Sequence, residues 1–250
     1  MAAIGEWLLW ISANVSHWLV PVTVVALLAL RCSAAQRRRL LPLAALLVLV
    51  DAACVTAPAV GWFAQLQWNW QGKLLEAAWP LALGATGALY PLRDLGFRAP
   101  LRDAWLPITA AGALMLGLTA LLAFGGMPMR IGADRETALF ELTMPGIAEE
   151  IVFRGALLWI CNEVFGRPWR LLGARVGWGL VLTTVLFASM HWVFVDRTLH
   201  VHFLWPSLLL TVLYGAVLGW VRERSGSLWP AIALHNLTDG IYVAASLAAG

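Results

Sequence analysis

Eight runs of apolar residues dominate this chain, each near the ~20 residues that carry a helix across a bilayer's hydrocarbon layer. They fall at about 8–30, 40–62, 74–92, 104–125, 138–162, 177–196, 204–221 and 229–248. Runs of that length leave few folds open. In lipid every backbone N–H and C=O must be bonded within the protein, which selects helices over open sheets. The expectation is an all-α, polytopic membrane helical bundle of about eight transmembrane helices. Composition agrees: of 250 residues 61% are hydrophobic and 12% charged, against roughly 25% charged in a soluble domain. No repeat, low-complexity tract or separate soluble domain interrupts the pattern, so one integral membrane domain is expected.

The basic residues order these runs. The loops after the first, third, fifth and seventh hold twelve arginines: 31, 37–39, 93, 98, 102, 167, 170, 175, 222 and 224. The intervening loops hold four basic residues, Lys73, Arg130, Arg135 and Arg197, and Arg154 alone lies inside a run. Cytoplasmic loops carry the Lys/Arg excess, so the odd-numbered loops are expected in the cytoplasm and both termini outside, in a multi-pass protein of a bacterial inner membrane. The net charge of +3 then reflects cytoplasmic loops rather than nucleic-acid binding. MAAIGEWLLW has no basic n-region or cleavage site and does not read as a removed signal peptide. Tryptophans such as Trp7, Trp10, Trp62, Trp68, Trp70, Trp105, Trp169, Trp220 and Trp229 cluster near the ends of runs, as in interfacial belts. Gly215 and Gly219 form a GxxxG read as ordinary close packing of helices. Cys32, Cys54 and Cys161 have no zinc or disulfide spacing.

Against this background the ionisable residues inside the runs stand out, because each costs roughly 2.5–3.5 kcal/mol to insert and such residues tend to be functional. Glu149, Glu150 and Arg154 lie in the fifth run, His191 in the sixth, His235 and Asp239 in the eighth, and Asp51 in the second. Pro145-Gly146 should loosen the helix ahead of the acidic pair. Glu150 and Arg154 are i and i+4 and share a face, where they can pair. Glu149 projects about 100° away, toward a cavity, where burial can tune a carboxylate for general-base work. His235 and Asp239 are also i and i+4. Together with His191 and Glu149 they could hold a water, with or without a metal.

Other routes to hydrolysis within a membrane are missing from the sequence. It has neither an HExxH helix nor a GxSxG elbow. Ser189 is turned roughly 200° from His191 on a helix. Neither Asp51 nor Asp239 lies in a glycine-framed aspartyl motif. Glutamate with histidine is what remains. At ~1.5 Å per residue, counting from the ends of the runs puts Glu149 near mid-membrane, His191 nearer the outer face and His235 nearer the inner. A single site therefore needs tilt, or a break near Pro145, to bring them level. His200 and His202 are read as loop residues.

The motifs Glu149-Glu150-Ile-Val-Phe-Arg154, Phe187 through His191, and His235 through Asp239, in that order, resemble those of the CPBP intramembrane proteases. That family includes the CAAX prenyl endopeptidases and the bacterial Abi-type proteins. The stretch RERSGSLWPAIALHN looks like the family's run into its last motif. The resemblance implies a catalytic core over 137–250, of about four transmembrane helices, preceded by about four generic ones over 1–136. It implies peptide-bond hydrolysis in which Glu149 activates water and His191 positions it. His235 and Asp239 would stabilise the oxyanion or complete the water site, with Glu150 and Arg154 in support. Asp239 departs from the asparagine of the eukaryotic prenyl proteases. No cofactor is required on this reading; a divalent metal such as zinc, held by Glu149, His191 and His235, is the open alternative. The partners implied are the bilayer and a membrane-protein, lipidated or C-terminally tagged peptide substrate. Two other classes compete: a non-catalytic peptide-binding or immunity protein using the same cavity, and a proton-relaying transporter, for which no inverted repeat is evident.

Overall fold

The computed structural model describes residues 23, 30, 32–60, 63, 65–87, 90–125, 132, 134–195 and 200–249. Long helices dominate: α1 (Ala34–Val60), α2 (Trp70–Thr86), α3 (Trp105–Phe124), α4 (Arg135–Glu141), α5 (Met144–Glu150), a π-helical segment (Ile151–Leu157), α6 (Leu158–Phe165), α7 (Trp178–Trp192), α8 (Trp205–Ser225) and α9 (Trp229–Ala249). Two antiparallel hairpins, β1 (Trp169–Leu171) with β2 (Ala174–Val176) and β3 (Val193–Val195) with β4 (Val201–Phe203), join helices. The expected first run lies almost wholly outside the described residues, as does the Asp51 side chain. Among the described residues, Arg102–Phe124 and Trp205–Ser225 are long and apolar enough by themselves to cross a bilayer, with mean hydropathy 1.9 and 1.2.

The fifth run departs from one loosened helix. The chain breaks at the Leu142–Thr143 turn, and α5 starts afresh with Pro145 in its first turn. Proline belongs there, since its missing N–H has no helical acceptor to lose and its fixed φ suits a helix start. One turn later the helix widens into the π segment, which carries Arg154. Such widened turns are frequent at functional sites.

The helices have two distinct ends. At one, the arginine-bearing loops hold one another. Arg39 pairs with Glu163 and Arg167 with Glu223. Arg222 donates to the Asp94 carbonyl and Arg224 to the Asp103 carboxylate, and Arg98 donates to the Gly226 carbonyl. At the other end Glu136 accepts from the backbone of Gln67 and Trp68, and Trp68 stacks on Phe140.

The core lies between α1, the π segment, α6 and α7, where Leu43, Leu47, Phe153, Leu157 and Phe187 are buried. Gly215 and Gly219 allow α8 to lie against α7: a Cβ on Gly219 would stand 2.5 Å from Leu180 Cδ1. The chain segment Ser225–Leu228 is drawn inward, with Ser225, Ser227 and Leu228 fully buried. As a result α9 begins deep, Leu228 and Ile232 packing with Ala148 and Ile151.

Candidate active site

That deep start answers the depth problem posed by the sequence. Glu149 lies in the second turn of α5, His191 in the last turn of α7, and His235 early in α9, where it meets Glu150. Glu149 Oε2 then stands 3.9 Å from His191 Nε2 and 3.9 Å from His235 Nε2. The six residues read from the sequence, Glu149, Glu150, Arg154, His191, His235 and Asp239, lie in one connected cluster.

The acidic pair is split as the helical spacing requires. Glu150 and Arg154 are fully buried, and Arg154 Nη1 donates to Glu150 Oε1 at 2.9 Å. Arg154 Nη2 reaches the Gly215 carbonyl at 3.3 Å, and the guanidinium lies 4.3 Å from the centre of the Phe187 ring. Phe187 also meets His191 at 4.6 Å and His235 edge-on at 5.9 Å between ring centres. One aromatic ring therefore packs against both histidines and the buried cation.

Hydrogen bonds fix the histidine orientations. His191 Nδ1 is 2.7 Å from the Phe187 carbonyl; a carbonyl only accepts, so Nδ1 carries a proton, and in the neutral ring Nε2, on the side of Glu149, is the acceptor. His235 Nδ1 donates to Glu150 Oε1 at 2.8 Å. Its Nε2 faces two carboxylate oxygens, Glu149 Oε2 and, at 3.5 Å, Asp239 Oδ2. That setting suits an N–H rather than a lone pair.

Sequence reasoning missed the other side of Glu149. Lys73, placed in a loop by the expected boundaries, lies in α2, because Asn69 caps that helix at Gly72 N–H and starts it at Trp70. Lys73 Nζ donates to Glu149 Oε1 at 2.7 Å and to Glu76 Oε2 at 2.8 Å. Glu149 Oε1 is thereby engaged, while Oε2 is buried and, among the described residues, has no hydrogen-bond partner. The available signal was that Lys73 is the chain's only lysine, at i,i+3 from the acidic residue of an apolar run. Asn236 was missed as well; its side chain accepts from Gly146 N–H at 2.8 Å and ties α9 to the start of α5.

Two cavities flank the cluster. One, of about 170 Å³, is lined by Cys54, Lys73, Glu76, Glu149 and His191. The other, of about 100 Å³, is mainly apolar, with Met115, Phe187, Leu210 and Leu218 beside His191 and His235. Among the described residues no group of three His, Cys, Asp or Glu side chains has the arrangement of a metal site. His202 is exposed on β4 and lines neither cavity.

Residues 137–241 match the Rce1-like family, described as type II CAAX prenyl endopeptidase Rce1-like, which is the family the motifs resemble. No curated protein and no solved structure matches the chain. This is an integral-membrane family of CAAX-type proteases acting on prenylated C-terminal substrates in the bilayer. The matched stretch contains both glutamates, both histidines, Arg154 and Asp239; Lys73 and Glu76 precede it.

Proposed function

We propose that this Rce1-like chain is a multi-pass intramembrane endopeptidase with Glu149 as general base. The observation that carries the reading is the buried Glu149 Oε2, unpartnered among the described residues and 3.9 Å from two histidine Nε2 atoms. A water oxygen at about 2.8 Å from Glu149 Oε2 and from a histidine Nε2, an ordinary hydrogen-bond length, bridges a gap of 3.9 Å, and one water shared by both histidines is the arrangement proposed. It would donate to Glu149 Oε2 and to the His191 Nε2 lone pair and accept from His235 Nε2–H.

Glu149 takes a proton from this water as its oxygen bonds to the scissile carbonyl carbon, and His235 Nε2–H faces the developing oxyanion. Glu149 then returns the proton to the amide nitrogen as the C–N bond breaks, leaving a new carboxyl terminus and a free amine. Lys73 holds Oε1 so that Oε2 is the oxygen presented. Glu150 orients His235, and Arg154 balances Glu150.

Zinc fits this set less well. Bonds of about 2.0–2.2 Å place tetrahedral ligand atoms about 3.3–3.6 Å apart, closer than the observed 3.9 Å, and the Lys73 ammonium stands 2.7 Å from the same carboxylate. The multi-pass arrangement is supported by the meeting of the four arginine-bearing loops at one end. The substrates implied are membrane-delivered or C-terminally tagged peptides.

The test is cleavage of a fluorogenic prenylated peptide by purified protein. Glu149→Gln should abolish turnover while the protein stays folded. A capture or immunity role predicts instead that Glu149→Gln keeps biological function, and wild-type cleavage by both Glu149→Gln and His191→Ala would defeat the mechanism.

A further inference from the structure

The candidate site is asymmetric along the bundle. Its wall toward the arginine-bearing loops is closed: Glu150 and Arg154 side chains have no exposure, and Arg154 bridges to the Gly215 carbonyl of α8 beneath the Phe187 ring. On the opposite side, among the described residues, its side chains keep some exposure. The side chains of His191, Asp239 and Lys73 are 34%, 23% and 22% exposed.

Helix positions give the same direction. Lys73 lies in the first turns of α2, next to the segment that Glu136 holds at the far end. From Lys73 to the end of α2, and from the start of α7 to His191, thirteen residues intervene, about 20 Å at ~1.5 Å per residue. His191 is followed directly by the β3–β4 hairpin, and Ser207, in the first turn of α8, donates to the His191 carbonyl at 2.8 Å. The exception, His235, lies near the start of α9 only because Ser225–Leu228 is drawn inward.

The arginine loops fix which end is which. Counted along the sequence, twelve basic residues fall between the apolar runs whose connections meet at the closed end and three, Arg130, Arg135 and Arg197, between the others, with Lys73 carried into α2; a bias of that size places the richer side in the cytoplasm. We infer that the site opens to the non-cytoplasmic face, so that its substrates are peptide segments presented from outside the cytoplasm, such as a membrane-proximal or C-terminal stretch of an exported protein. A lipidated tail presented from the cytoplasm would meet the plug of Glu150, Arg154 and Phe187. The inference rests on the proposed function for the word substrate, but the direction of opening is testable without cleavage.

The experiment uses the full chain with Cys32, Cys54 and Cys161 replaced by serine, carrying either His191→Cys or Arg170→Cys. A membrane-impermeant methanethiosulfonate ammonium reagent is applied to intact spheroplasts and to inverted vesicles. The expected result is labelling of His191→Cys at least tenfold faster in spheroplasts, and of Arg170→Cys at least tenfold faster in inverted vesicles. Asp239→Cys, on a different helix, should follow His191→Cys and guards against misfolding of one variant. Rim positions labelled from the same side as Arg170→Cys overturn the inference, as does Arg170→Cys labelled from outside. Rim positions unreactive from both sides show that the site is not open there and overturn it equally. Failure of the peptidase reading shows elsewhere, as wild-type cleavage by Glu149→Gln.

Discussion

Replacing Arg154 by methionine tests the supporting half of the cluster. The guanidinium has no solvent exposure and is bonded to Glu150 at 2.9 Å and to the Gly215 carbonyl at 3.3 Å, with Phe187 at 4.3 Å from its centre. Methionine fills much of the volume but leaves Glu150 as a buried carboxylate whose one named partner is His235 Nδ1. Removing one partner of a buried ion pair costs about 3–5 kcal/mol, because the other charge stays desolvated. At about 2–4 °C per kcal/mol for a protein of 150–250 residues, the melting temperature should fall by about 6–20 °C. Thermal unfolding followed by tryptophan fluorescence in a mild detergent reads this directly. The double variant Glu150→Gln/Arg154→Met removes the stranded charge and should recover part of the loss. Arg154→Lys should recover little, since one ammonium cannot span both acceptors. A melt for Arg154→Met within about 2 °C of wild type, or a double variant worse than either single, would refute the argument that charge burial sets the penalty.

Glu149→Gln should lower kcat by about 10²–10⁴-fold, the range of general-base contributions, while leaving the melt within a few degrees because Lys73 keeps Glu76 as a partner. Gly146→Ala would push a Cβ to 2.3 Å from Asn236 Oδ1 and 2.9 Å from the Ile232 carbonyl; it should cost about 1–3 kcal/mol as overpacking and lower turnover by displacing α5, measurable by melts and peptide cleavage together. Lys73→Met should reduce kcat at least tenfold with KM nearly unchanged, and Lys73→Arg should restore part of it, as expected of a group that orients Glu149 rather than one that binds substrate.

Local helix geometry made much of the candidate site legible in the sequence. The spacing of Glu149, Glu150 and Arg154 was enough to separate a paired carboxylate from one facing a cavity, and the structure shows that separation. The all-α class followed from run length alone. What stayed hidden depended on tertiary placement. Nothing local to RERSGSLWP says that the turn after α8 is drawn inward, yet that displacement brings His235 level with Glu149. The break at Leu142–Thr143 was approached through Pro145 but put three residues late, because proline at a helix start and proline inside a helix look alike in a continuous apolar run. Lys73 and Glu76 read locally as a polar interruption; only the packing of α2 against α5 turns them into neighbours of Glu149.

The charges in the cluster constrain the chemistry further. Four carboxylates, Glu76, Glu149, Glu150 and Asp239, are gathered with two fixed cations, Lys73 and Arg154, all linked by contacts of 3.9 Å or less. If all were ionised and both histidines neutral, two negative charges would stand uncompensated in an apolar bundle, a costly arrangement in low dielectric. Protons held among the histidines and Asp239 relieve it, and the Nε2 of His235, set between Glu149 and Asp239, is the position where one proton serves two carboxylates. Amide hydrolysis requires a base for the water, a donor for the oxyanion and a proton for the departing nitrogen. A cluster with surplus carboxylates and a shared proton can provide all three, whereas an isolated Glu150–Arg154 staple would have required none of the groups gathered around Glu149.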